Sequence, residues 1–267
     1  YDLRLRAVNS EGAGAAGDTK TATPTAPAAG IDWTSYFGAG DEGGVYIATD
    51  AANMTLSGSD VTQLDDQSGK GNHLVPFTDG AYSDRWQWNA AEARIDATGP
   101  AALHGNFPSG INVTEGTVII AARRASGTTQ NLLAGFSAAG SAFERLFAQI
   151  NPGRAAGAQM QFWPGTDEPR FTPTTLDLSE DTATTSNELL VFTANGTSHE
   201  VWRNGVQVIN EAAQGIWNAP LDIGRVALET GGTHSGLISI YAMLVIDRVL
   251  TPTEIAEIEA EFGALLP

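Results

Sequence analysis

The chain has 267 residues, 42% of them hydrophobic, which is enough apolar material for one large β domain or two smaller ones and too much for a disordered tail. Fourteen Lys and Arg against 31 Asp and Glu give a formal net charge of −17, which argues against a partner whose phosphates must be neutralised, whether nucleic acid or an anionic membrane surface. The absence of Cys removes disulfides, thiolate metal sites and Cys nucleophiles together and leaves the redox compartment open.

The first eight residues, Tyr1-Asp-Leu-Arg-Leu-Arg-Ala-Val8, alternate apolar and polar side chains, the pattern of a half-buried strand. Asn9-Ser-Glu-Gly-Ala-Gly14 reads as a turn, and residues 19–23 as a second, polar β run. This stretch resembles the last two strands of a fibronectin type III module, with Tyr1 where that family has its corner tyrosine. The resemblance implies that the natural polypeptide continues upstream; the plainer alternative is an N-terminal hairpin packed on the next domain. Residues 24–30 form a Pro/Ala/Thr linker, extended and semi-rigid, and a new domain is expected over 31–267.

From there strand-like runs recur between turn signals, at 44–49, 94–97, 117–123, 131–136, 146–150, 159–163, 220–228 and 236–247. Between them lies a meander. Glu188 to Ala194, Ser198 to Arg203 and Val206 to Ile209 are three β-rich runs separated by Asn195-Gly196 and Asn204-Gly205, and Asn-Gly supplies the positive-φ residues of a tight hairpin turn. Many short strands predict an all-β sandwich. The longest apolar run, 237–246, is apolar on both alternating faces and is expected in the middle of a sheet; it falls well short of the roughly 20 residues of a membrane helix. No membrane insertion is expected. One helix is predicted at the end, where Thr251-Pro-Thr-Glu254 is a capping box with Pro in the first turn and Ile255, Ile258 and Phe262 form one stripe. Glu254, Glu257, Glu259 and Glu261 lie around its other sides and read as a solvated face, not as a catalytic pair.

Val61-Thr-Gln-Leu64-Asp-Asp66-Gln-Ser-Gly69-Lys-Gly71-Asn72-His-Leu74 resembles a turn motif of concanavalin A-like, laminin-G-like jelly rolls, and His199 to Gly205, Leu221-Asp-Ile-Gly224 and residues 236–255 resemble later parts of that fold in the same order. The resemblance implies a concanavalin A-like jelly-roll sandwich with one short C-terminal helix, preceded by a partial fibronectin type III module. It departs at Leu64, where the family often has Trp. Such sandwiches host lectins, hydrolases, lyases and structural spacers, so the fold alone does not fix the activity. Hydrolases of this superfamily carry carboxylates alternating on one strand, and no strand here shows that pattern. No nucleophile elbow appears, and Asp41-Glu42 within residues 38–44 would repel phosphate.

Two candidate sites remain. Asp65, Asp66 and Asn72 supply hard oxygen donors of the kind Ca2+ accepts; the alternative is that Asp66 and Ser68 bond backbone amides in the turn. Trp86 and Trp88, with Tyr82 and Arg85 nearby, and Trp163 and Trp217 at turn edges are candidate glycan contacts, because an exposed aromatic ring stacks on sugar C–H faces; the alternative is that these Trp are core. The expected function is therefore a non-catalytic, glycan-binding or adhesive domain at the end of a longer protein, extracellular or on a virion surface, as in phage tail or fibre proteins or bacterial adhesins. Its partners would be a cell-surface or polymeric glycan and other structural subunits, with a homotrimer by analogy to fibres. A structural decoration domain and a secreted polysaccharide hydrolase or lyase are the alternatives.

Overall fold

A computed structural model describes residues 30–76, 84–97, 99, 101–107, 115–124, 186–195, 197–212 and 238–267, and, by backbone alone, the strands at 8–9, 12–13, 131–136, 146–154, 157–164, 175–177 and 224–230. The chain divides into two units, Tyr1–Asp32 and Trp33–Pro267. In the first, β1 (Val8–Asn9) and β2 (Gly12–Ala13) pair antiparallel. Tyr1 and the run at 19–23 lie outside the described residues.

The second unit is an all-β sandwich with one C-terminal helix. After a 3-10 turn at Trp33–Tyr36 come β3 (Gly43–Ile47), β4 (Met54–Ser57), β5 (Asp60–Leu64), β6 (Val75–Pro76), β7 (Trp86–Asn89), β8 (Arg94–Ala97), β9 (Ala101–Phe107) and β10 (Glu115–Arg124). Then follow β11 (Asn131–Phe136), β12 (Leu146–Arg154), β13 (Gly157–Pro164), β14 (Thr175–Asp177), β15 (Ser186–Asn195), β16 (Ser198–Arg203), β17 (Val206–Ala212), β18 (Gly224–Thr230), β19 (Ile238–Ile246) and α1 (Pro252–Leu265). One sheet runs β17-β16-β15-β10-β19-β8-β7-β5-β4, with β3 also paired to β19; the other runs β14-β13-β12-β11-β18-β9-β6. Val61, Leu64, Trp86, Ile95, Val118, Ile120, Leu190, Phe192, Val201 and Met243 of the first sheet share one core cluster with Ala101 and Leu103 of the second.

The central strand is β19, and its sequence explains why. Every residue from Tyr241 to Ile246 is at most 1% exposed, so both faces are covered. On one side it pairs with β10; on the other, Ala242 to Ile246 pair with β3 while Ser239 and Ile240 pair with β8. The change of partner falls at a bulge, where Ala121 and Ala122 oppose Ala242 and Ile240 and leave Tyr241 as the extra residue. The Tyr241 carbonyl accepts from the Ala48 amide at 2.8 Å, so the bulged backbone remains bonded. Gly43 opens β3 at φ 149, where a Cβ would collide with the Val245 carbonyl oxygen, so glycine permits this close approach.

The outer face of this sheet is covered by α1, which lies against β10, β15 and β19 and buries Ile258 and Phe262 completely. Thr251 caps it: its hydroxyl accepts from the Glu254 amide at 3.3 Å, and the Glu254 carboxylate accepts from the Thr251 amide at 2.7 Å. Arg248 ties the helix to the preceding loops, with Glu254 at 2.6 Å, Asp41 at 3.2 Å and the Tyr36 carbonyl at 2.8 Å. Burial and a hydrogen bond to Glu257 push the Tyr36 phenol up to about 12. In this unit the predicted strands and helix are present, with ends moved by a few residues. Strands β4, β5, β6, β7, β9 and β14 are additions, drawn from polar or Gly/Ser-rich segments whose pattern alone does not announce a strand.

Candidate functional site

The turn between β5 and β6 is built on one carboxylate. Asp66 Oδ1 accepts from the Val45 amide at 3.0 Å and the Ser68 amide at 2.8 Å; Oδ2 accepts from the Ser68 hydroxyl at 2.7 Å and the Asn72 amide at 3.0 Å. Asn72 donates through its side chain to the Gly43 carbonyl at 2.6 Å, and its own carbonyl accepts from the Tyr46 hydroxyl at 2.7 Å. Asp66, Ser68 and Asn72 are all buried, so these bonds join the turn to β3 in a region that water does not reach. Asp65 points its carboxylate elsewhere and accepts from the Gln63 side-chain amide at 2.6 Å, while His73 Nδ1 accepts from the Asp66 backbone amide at 3.1 Å. Asp65, Asp66 and Asn72 thus do not form one donor set for Ca2+. An ion needing six to eight oxygens would have to displace the four donors already on Asp66. Among the described residues no three His, Asp or Glu side chains are arranged to hold a metal ion.

The aromatic candidates separate. Trp86 is 1% exposed and belongs to the sandwich core, opposite Ala97 on β8, which corrects its expected role as a sugar contact. Trp88 shares that inward face, opposite Ile95, and packs partly buried against the same core with Leu56. Both are two apart on one strand, but the face they share is the inner one. Arg85 is partly exposed and donates to the Asp84 carbonyl at 3.2 Å. Tyr82, Trp217 and the Trp163 side chain lie outside the described residues.

On the outer face of the same sheet the charges of β8 are mutually satisfied. Arg94 is bonded to Asp96 at 2.7 Å and to Glu92, donates to the Tyr241 hydroxyl at 3.2 Å, and lies 5.9 Å from the centre of that ring. Burial opposes the Asp96 charge, yet hydrogen bonds from Ser239, Asn89 and Arg94 outweigh it and hold this carboxyl below its ordinary range. Arg123 completes the group through Glu92 at 3.0 Å. This cluster joins β8, β19 and β10 across the sheet and leaves no charge unanswered for a ligand.

A different arrangement occurs at the far edge. Leu190, Phe192 and Val201 face the core, so their neighbours Val191, Thr193, Glu200 and Trp202 face outward. Trp202 stands opposite Gln207 and Glu200 opposite Asn210 on β17. Trp202 and Glu200 are partly exposed, Gln207 and Asn210 exposed. Beside them on β15, Val191 and Thr193 of the same face are buried, on the strand against which α1 lies. None of the four outward side chains makes a hydrogen bond or ion pair among the described residues. The Asn204-Gly205 turn, at φ 51 and 75, closes β16 onto β17, and Asn204 Oδ1 accepts from the Leu189 amide at 2.9 Å. In the sequence the run that holds Trp202 reads first as a hairpin, which hides its aromatic ring as a candidate contact. The signal was nonetheless present, since an inward Val201 requires an outward Trp202.

No protein-family model matches the sequence, and no curated protein matches it. Among solved structures, the chain is similar to the receptor-binding domain of botulinum neurotoxin C/D mosaic serotype, with TM-score 0.56 and 11% identity over 83% of this chain and 50% of that one. The botulinum neurotoxin serotype D binding domain matches with TM-score 0.56 and 10% identity over 83% of this chain and 51% of that one. Trypanosoma rangeli sialidase in complex with sialic acid matches with TM-score 0.55 and 11% identity over 83% of this chain and 33% of that one. The chain spans between a third and about half of these longer chains, and at such identities the likeness is one of fold.

Proposed function

We propose that this chain is a non-catalytic binding module recognising a cell-surface or polymeric glycan and displayed extracellularly or on a virion surface, as in a phage-like tail or fibre. The observation that carries this reading is the partly exposed Trp202 ring set among Glu200, Gln207 and Asn210, polar side chains that no partner among the described residues engages. An aromatic face bordered by uncommitted donors and acceptors is the physical basis of a shallow sugar site. The sharing of the fold with receptor-binding domains and with a sialidase seen in complex with sialic acid supports a recognition role.

A glycan array on the full chain tests this, run with Ca2+ and again with chelator. Saturable binding is expected, unchanged by chelation because Asp66 and Asn72 are engaged in the turn. A blank array on folded protein would defeat the glycan reading. It would favour a second one, a structural decoration domain contacting other subunits or two further copies, to which Val206, 64% exposed at the start of the edge strand β17, is suited. Release of reducing ends from any polymer would instead establish a hydrolase or lyase.

A further inference from the structure

Resting on the glycan-binding reading, we infer that the outer face of β16 and β17, beside the part of the sheet that α1 covers, is the sugar platform, with Trp202 as the stacking ring, and that its ligand is a neutral glycan, not an acidic one. The register places Val191, Trp202 and Gln207 in one row across three strands and Thr193, Glu200 and Asn210 in the next. Cross-strand neighbours are about 5 Å apart and same-face neighbours along a strand roughly 7 Å apart, so the four outward side chains frame a patch the size of one or two sugar rings.

The partner strand of Trp202 carries a register shift. Val201 opposes Ile209 while Trp202 opposes Gln207, which makes Val208 the extra residue of a bulge beside the tryptophan. Bulges at sheet edges disturb the regular pleat, and this one, on β17, lies beside the partly exposed Trp202 indole. A pyranose laid on that ring would bring its hydroxyls to the rim. There the Glu200 carboxylate accepts from neighbouring hydroxyls, and the Gln207 and Asn210 amides both donate and accept.

Charge selects the class of sugar. Among the described residues the patch holds one carboxylate and no cation, because Arg203, the nearest arginine in sequence, belongs to the opposite face and is bonded there to Glu188 at 2.6 Å. A uronic or sialic acid would meet Glu200 without a counter-charge, on a protein whose formal net charge is −17. A neutral hexose meets only hydrogen-bonding groups.

The test uses the full 267-residue chain with dextran, mannan and galactan as neutral probes and alginate and polysialic acid as acidic ones, read by titration calorimetry. Binding to at least one neutral polymer and to neither acidic one is expected. Trp202→Ala should weaken it at least about tenfold, the equivalent of roughly 1.4 kcal/mol. The exposed pair Gln207→Ala with Asn210→Ala should also weaken binding while leaving thermal stability unchanged, so the site is testable even if Trp202→Ala unfolds the edge. Neutral-polymer binding that both variants leave intact would overturn the platform while the glycan reading stands. Binding to the acidic polymers alone would overturn the ligand class, and binding to none would overturn both.

Discussion

An indole buried in a core acts through its volume, and one at a surface acts through its face. Trp86 is of the first kind: it is 1% exposed and its Nε1 has no hydrogen-bond partner among the described residues. Trp86→Ala should therefore destabilise by about 3–5 kcal/mol in chemical denaturation, because it opens a large cavity. Trp86→Phe should cost less, since the lost N–H satisfies no acceptor and the ring volume is largely kept. Equal losses for the two would mean that the indole nitrogen has a partner after all. The sequence shows that Trp86 and Trp88 share a face but not which face, because period-two alternation is the same whether the strand is read from the core or from solvent. The turn at Asp66 was ambiguous for a related reason. Asp, Ser and Asn serve a cation and a backbone amide with the same oxygens, and only the nearby Val45 and Asn72 amides, brought by the fold, decide between them.

Among elements, α1 was the most legible, because its capping box, first-turn Pro and apolar stripe are local signals that tertiary context did not override. The bond to Arg248, 2.6 Å long, holds the Glu254 carboxyl down to about 2; burial opposes this, and the Thr251 amide and hydroxyl reinforce it. A carboxyl with a depressed folded pKa contributes stability above its unfolded value of 4.5, and that contribution is lost as pH falls towards 2. The pair is partly exposed, so solvent screening reduces the contribution to about 1 kcal/mol. Arg248→Gln should flatten the acid limb of a stability profile between pH 5 and 2; an unaltered limb would show that the bond contributes nothing there. Strand β19 was legible for its double-faced hydrophobicity. The β4–β5 hairpin was not, since its exposed positions are Thr, Ser and Gly and its turn residue Gly58, at φ 67, carries no flanking apolar alternation strong enough to mark strands.

For the whole molecule the dominant quantity is the imbalance of 31 acids over 14 bases. Self-repulsion of a net charge of −17 opposes compaction, and added salt screens it with a Debye length of about 10 Å at 0.1 M. The thermal midpoint should rise between 10 mM and 0.5 M NaCl at pH 7. A fall would mean that the paired clusters around Arg94 and Arg248 outweigh the repulsion. The strand order carries a different consequence. The middle of the larger sheet is β19, at residues 238–246, and it seats β3, β8 and β10, which precede it in the chain by more than a hundred residues. During synthesis those three strands emerge with their apolar faces uncovered and must wait for their common partner. Closure of the sandwich is therefore a late event of high contact order, and the domain is at its most aggregation-prone just before β19 leaves the ribosome.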